Sequence, residues 1–165
     1  MPTFERITTE YIDLEDRIRL AGEVENVAPV VIWLTRRLLQ RLLPALLQWL
    51  ERQDDATPRA EVLQSFAQQA ARAELTPQAP VRAVAGCAAW LAQSVDITQS
   101  EQIISLTFRG ADGQDAALIL AAKPLRQWLG IVHDAYLKAD WPLNVWPGWI
   151  RESTLAAGQQ SVVLH

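Results

Sequence analysis

The chain has 165 residues, of which half are hydrophobic and 21% are charged. This balance is typical of a globular domain and too apolar for a disordered chain, and the length fits a single core that buries about two thirds of the unfolded surface. The formal charge is −4, and residues 1–25 carry all of it, with seven acidic side chains against three arginines. The chain therefore lacks the broad positive field of a nucleic-acid-binding domain, although a local basic patch is compatible with it.

The start of the chain and its cysteine content favour an intracellular protein. Met1 to Glu5 shows no basic flank followed by an apolar run, which a secretory signal requires. The most apolar stretch, Leu42 to Leu50, is far shorter than the ~20 residues of a membrane span. Cys87 is the only cysteine, so one chain can form neither a disulfide nor a thiolate zinc cluster. We expect a soluble cytoplasmic protein with no membrane partner, no metal and no cofactor.

Strands precede a leucine-rich helix in the first third of the chain. A first strand is expected within Thr3 to Ile12, although its apolar spacing also fits a helix. Asp16 to Val24 alternates between apolar and polar residues, which predicts a half-buried strand. Val30 to Leu34 is a continuous β-branched and aromatic run, which predicts a central strand covered on both faces. Thr35 then offers a hydroxyl N-cap for a helix over Arg36 to Arg52.

A second helix is predicted directly after the first. Thr57 and Pro58 are a specific start signal, because a threonine N-cap is followed by proline at the first helical position. The helix is expected to run to about Leu75. Its apolar stripe consists of Val62, Phe66, Ala70 and Ala73.

The second half of the chain repeats the pattern of a hairpin followed by a helix. A strand is predicted from about Ala89 to Ile97, and the next, Gln102 to Arg109, alternates between apolar and polar residues. Asp112 and Gly113 form the strongest hairpin-turn signal, because glycine accepts the positive φ of a tight turn. Ala116 to Ala121 is the returning strand, and Pro124 opens the last helix.

These elements predict an α+β fold. Two ββα units, at about 16–52 and 102–139, would form a mainly antiparallel sheet of about six strands packed by three helices. Residues 1–150 are expected to be one domain and 151–165 a tail. The two units align at a separation of 86 residues with five identities in 30 positions, which leaves common ancestry open. The element order alone resembles the head domains of double-strand-break-repair scaffold proteins, a likeness that no residue motif supports.

The sequence contains no recognisable catalytic constellation. His133 and His165 are the only histidines, and no serine lies in a G-x-S-x-G turn. The glycine pair Gly110 and Gly113 lacks the lysine and the following helix of a phosphate-binding loop. The acidic group Asp13, Glu15 and Asp16 is interpreted as a solvated turn, because it lacks calcium-loop spacing. No catalytic residue is therefore predicted.

Two segments are candidate binding sites. Residues 140–150 form a tryptophan and proline strap with Trp141, Trp146 and Trp149, whose indoles must cover the domain's own apolar surface or meet a partner. The start of the first helix contains three arginines, Arg36, Arg37 and Arg41. Their guanidinium groups can bind a carboxylate or a phosphate.

The prediction for function is a non-catalytic binding or scaffold module that acts through protein–protein contacts, with self-association as a homodimer. An alternative is a small-ligand-binding protein or enzyme with a pocket near the strap, where Trp141, Trp146, Tyr136 and His133 could converge. A third possibility is a weak nucleic-acid binder that uses the three arginines and stacked tryptophans.

Overall fold

The computed structural model describes residues 1–53 and 60–153, which contain seven strands and four helices. Residues 148–153 form the last helix, α4. The predicted helix start at Thr57 and Pro58, and the tail from Thr154 onward, lie outside the described residues. The other elements are, in chain order, β1 Arg6–Ile12, β2 Arg17–Glu23, β3 Val30–Leu34, α1 Arg36–Gln53, α2 Ala60–Ala73, β4 Ala89–Leu91, β5 Ser94–Gln99, β6 Ile103–Arg109, β7 Asp115–Ala121 and α3 Ala122–Ala139.

The strands form two sheets rather than one. The first has the order β1-β2-β3-β4, in which only β3 and β4 are parallel, and the second is the antiparallel sheet β5-β6-β7. The prediction of an α+β fold with mainly antiparallel strands is confirmed, whereas the single sheet of about six strands is wrong. The chain turns from one sheet to the other between β4 and β5, where Ala92 N–H donates to Trp33 O over 3.0 Å and Gln93 N–H donates to Arg109 O over 2.8 Å.

A hairpin followed by a helix does occur twice, but the two hairpins belong to different sheets. In the second, Asp112 and Gly113 have φ values of 57° and 75°, and Gln114 N–H donates to Ala111 O over 3.1 Å. This is the primed turn that the sequence predicts. The connection between β2 and β3 is longer and contains a single residue of positive φ, Asn26. The two predicted ββα units therefore share element order but differ in turn and in sheet.

The first helix begins and packs as its sequence predicts. Thr35 Oγ1 accepts a hydrogen bond from Leu38 N–H over 3.1 Å, which confirms the N-cap. Seven apolar side chains of α1 are buried, namely Leu39, Leu42, Leu43, Leu46, Leu47, Trp49 and Leu50.

One large hydrophobic cluster joins the inner faces of both sheets with α1, α3 and the strap. Helix α3 contacts β1, β7 and α2, and nine of its residues are buried. It is therefore the central helix of the fold. No helix within the described residues is long and apolar enough to cross a membrane.

Candidate binding surfaces

The three strap tryptophans lie within the protein. Trp141, Trp146 and Trp149 are 7%, 3% and 4% exposed. The Trp141 indole N–H donates to Asp16 Oδ1 over 3.0 Å, and the Trp149 indole N–H donates to Glu51 Oε1 over 3.3 Å. The strap thus covers the domain's own apolar surface and links α3 to the β1–β2 turn and to the end of α1.

His133 and Tyr136 face the strap from α3. The Tyr136 ring meets Trp141 and Trp146 edge to face, with centroids 5.0 and 5.2 Å apart, and the His133 ring lies 5.1 Å from that of Trp146. Burial raises the pKa of Tyr136 to about 12, and burial lowers the pKa of His133, which keeps its imidazole neutral. The four aromatic rings fill space against one another, as core residues do.

The three arginines are exposed on the first two turns of α1. None of them forms a salt bridge within the described part of the chain. Asp16 has a lowered pKa because it accepts hydrogen bonds from Tyr11 and Trp141 and because the charge of Arg36 favours its carboxylate. Of the predicted site residues, Trp141 contacts the Asp16 carboxylate directly, and Arg36 acts on that carboxylate only through its charge.

Helix α2 presents an apolar face outward. Val62, Leu63 and Phe66 are 52%, 46% and 63% exposed, whereas Gln64 and Gln68 on the opposite face are 2% and 0% exposed. The apolar stripe that the sequence predicts is present, but it points away from the core. Apolar faces of surface helices normally pack inward, so this helix is inverted relative to the usual arrangement.

Polar contacts hold α2 in this orientation. Arg126 is buried on α3, and its Nη2 donates to Gln64 Oε1 over 2.6 Å. Gln64 Nε2 donates to Leu50 O over 3.2 Å, and Gln68 Nε2 donates to Arg126 O over 2.8 Å. At the other end of the interface, Arg72 Nη2 donates to both carboxylate oxygens of Asp134, over 3.0 and 2.9 Å. Buried polar groups must be hydrogen-bonded, and Arg126 and Asp134 of α3 provide such partners. These contacts therefore favour burial of the polar face of α2.

A cleft opens where β1 and β7 diverge. Its volume is about 330 Å³, at the lower end of the range of ligand pockets. The apolar residues of its lining include Phe4, Ile7, Leu75, Ile119, Trp128 and Ile131. The Trp128 indole N–H donates to Thr9 Oγ1 over 3.0 Å, which fixes this wall of the cleft.

The sequence did not reveal either of these surfaces as a candidate site. The stripe on α2 is visible in the sequence, but its outward direction depends on contacts with α3. The cleft depends on a bridge between Thr3 and Ala117, which are more than 100 residues apart in the chain. Within the described residues, no group of three or more His, Cys, Asp or Glu side chains is placed to hold a metal ion.

No protein-family model, curated protein or solved structure matches this chain.

Proposed function

We propose that this chain is a non-catalytic protein-binding module that self-associates through the outward face of α2. The observation that carries the proposal is the inversion of this helix, which leaves Val62, Leu63 and Phe66 exposed while Gln64 and Gln68 are buried. Contiguous exposed apolar side chains on a soluble protein are a feature of interaction surfaces.

The order of large and small side chains on α2 favours a second copy as the partner. The large residues Val62, Leu63 and Phe66 lie in the first half of the outward face, and the small residues Ala70 and Ala73 lie in the second half. When two α2 helices pack antiparallel about a two-fold axis, the large half of each meets the small half of the other. Phe66 is then the aromatic anchor near the centre of the interface.

The remaining predicted functions have less support from the geometry. The aromatic rings beneath the strap contact one another, which argues against a ligand pocket between them. Three exposed arginines on a chain of net charge −4 are a small basic patch for nucleic acid.

Sedimentation velocity over a wide range of protein concentration tests the proposal. We expect a concentration-dependent monomer–dimer equilibrium with a dissociation constant of roughly micromolar or weaker, since one helix face is a small interface. Phe66→Ser should shift this equilibrium to monomer. Leu137→Ser is the matched control, because Leu137 is also exposed but lies on α3. A wild-type chain that stays monomeric at the highest concentration, or a Phe66→Ser variant that dimerises as tightly, would contradict the proposal.

A further inference from the structure

The N-terminal segment begins a strand pairing with β7 and then leaves it. Ala117 N–H donates to Pro2 O over 2.8 Å, and Phe4 N–H donates to Ala117 O over 2.9 Å, so Thr3 and Ala117 form a parallel bridge. Glu5 N–H points to the opposite side and donates to Glu23 O in the other sheet, and within the described residues neither Phe4 O nor Arg6 N–H continues the pairing to Ile119. The cleft of about 330 Å³ lies in the gap that this departure opens.

Ile119 of β7 faces this gap with its main chain. Along a strand, alternate residues direct their N–H and C=O groups to opposite neighbours. Ala117 uses both groups toward residues 2 and 4, so Ile119, two residues later, points its own groups to the same edge. Within the described residues, no backbone group is hydrogen-bonded to Ile119 at that edge. One donor and one acceptor of the strand are therefore open beside an apolar cleft.

We propose that this edge and cleft bind an extended, uncharged peptide segment of a partner protein, which adds a strand to β7 at Ile119. An unpaired donor and acceptor on one strand residue match the main chain of a β-strand, and this is the chemistry of peptide recognition by strand addition. An apolar side chain of the bound segment enters the cleft between Phe4, Leu75 and Trp128.

The walls of the cleft suit such an occupant. Trp128 and Gln127 are held by hydrogen bonds to Thr9 Oγ1 and to Ala71 O, each 3.0 Å long, so the cleft is preformed. Glu5 and Arg6 bring one charge of each sign to its lining, and Arg6 is paired with Glu23. The cleft therefore offers no net charge to attract an acidic or a basic peptide, and its volume accommodates one or two apolar side chains.

A titration followed by NMR tests this inference with a capped pentapeptide of alternating threonine and leucine as the probe. We expect saturable shifts of the Ile119 amide resonance and slowed exchange of its proton. The same peptide N-methylated at its central residue loses a donor to the strand edge and should bind at least tenfold more weakly. Ile119→Pro removes the protein's donor and should have a similar effect, whereas Ile119→Val retains it and should bind as the wild type.

The outcomes are distinct. Equal binding of the N-methylated peptide, no binding of the parent peptide at millimolar concentration, or equally tight binding of leucine amide alone would each overturn strand addition, and the last would indicate a small-molecule site. If Ile119→Pro does not fold, the comparison of the parent and N-methylated peptides on the wild-type protein still tests strand addition. Phe66→Ser should bind the peptide as the wild type does, so failure of this inference is separable from failure of α2 self-association.

Discussion

Helices α1 and α2 follow each other in the chain and are both amphipathic, yet they pack through opposite kinds of face. Helix α1 buries seven apolar side chains, whereas α2 buries Gln64, Ser65 and Gln68 and exposes Val62, Leu63 and Phe66. The difference shows that an amphipathic pattern predicts a helix and its two faces. Which face is buried depends on the neighbouring surface.

The neighbouring surfaces of the two helices differ in polarity. Helix α1 belongs to the main hydrophobic cluster together with the inner residues of both sheets. Helix α2 lies on α3, which presents a buried guanidinium at Arg126 and a carboxylate at Asp134. Leaving a buried charged donor without a partner is strongly unfavourable, so polar side chains of α2 take this position.

The largest expected effect is a loss of stability, and it tests the contrast between the buried apolar face of α1 and the exposed apolar face of α2. Leu43→Ala in α1 removes a fully buried side chain and should lower the free energy of unfolding by about 3 kcal/mol, from lost burial and a residual cavity. Leu63→Ala makes the same chemical change on the exposed face of α2 and should lower it by less than about 1 kcal/mol. Urea denaturation of both variants measures the difference. Equal losses would show that α2 also packs through its apolar face.

A second variant tests the polar contacts beneath α2. Gln64→Leu keeps a similar side-chain volume but removes the oxygen that accepts the 2.6 Å hydrogen bond from Arg126 Nη2, and it should destabilise the fold by about 2 kcal/mol. Gln48→Leu is the control on the exposed face of α1 and should change stability by less than about 0.5 kcal/mol. Urea denaturation again provides the measurement. A Gln64→Leu variant as stable as the wild type would mean that the buried glutamine does not determine the orientation of α2.

The pH dependence of stability tests a buried group on α3, beside the α2 interface. His133 has a folded-state pKa below the ordinary histidine value of about 6.5, mainly because burial penalises the imidazolium. Between the two values the unfolded chain binds a proton that the folded chain does not, so stability is full above about pH 6.5 and falls as the pH drops below it. Urea midpoints from about pH 7.5 to about pH 5 should decrease in the wild type and decrease less in His133→Phe. If the urea midpoints of the two proteins fall equally with pH, a group other than His133 causes the pH dependence.

The smallest expected effect is that of Phe66→Ser on the isolated chain. Because this ring is largely exposed, the free energy of unfolding at low protein concentration should change by less than about 0.5 kcal/mol. Thermal unfolding at increasing concentration then separates folding from association, since only the wild type should gain stability as dimer forms. A loss of several kcal/mol at low concentration would show that Phe66 packs within its own chain.

The sequence alone determined the local structure of this protein. A threonine hydroxyl caps α1, the pair Asp112 and Gly113 supplies two residues of positive φ, and the β-branched run Val30–Leu34 forms an interior strand. Each of these signals acts through groups close together in the chain, so the residues themselves contain the required information.

Only the tertiary structure determined how the strands are divided between two sheets and which apolar surfaces are exposed. The division into two sheets depends on single hydrogen bonds at Ala92, Gln93 and Glu5, which no local pattern records. The outward face of α2 depends on Arg126, which is about 60 residues away in the chain. The cleft at Ile119 likewise needs the first and seventh strands to diverge. These features arise from hydrogen bonds and burial between distant segments, so they exist only once the chain has folded.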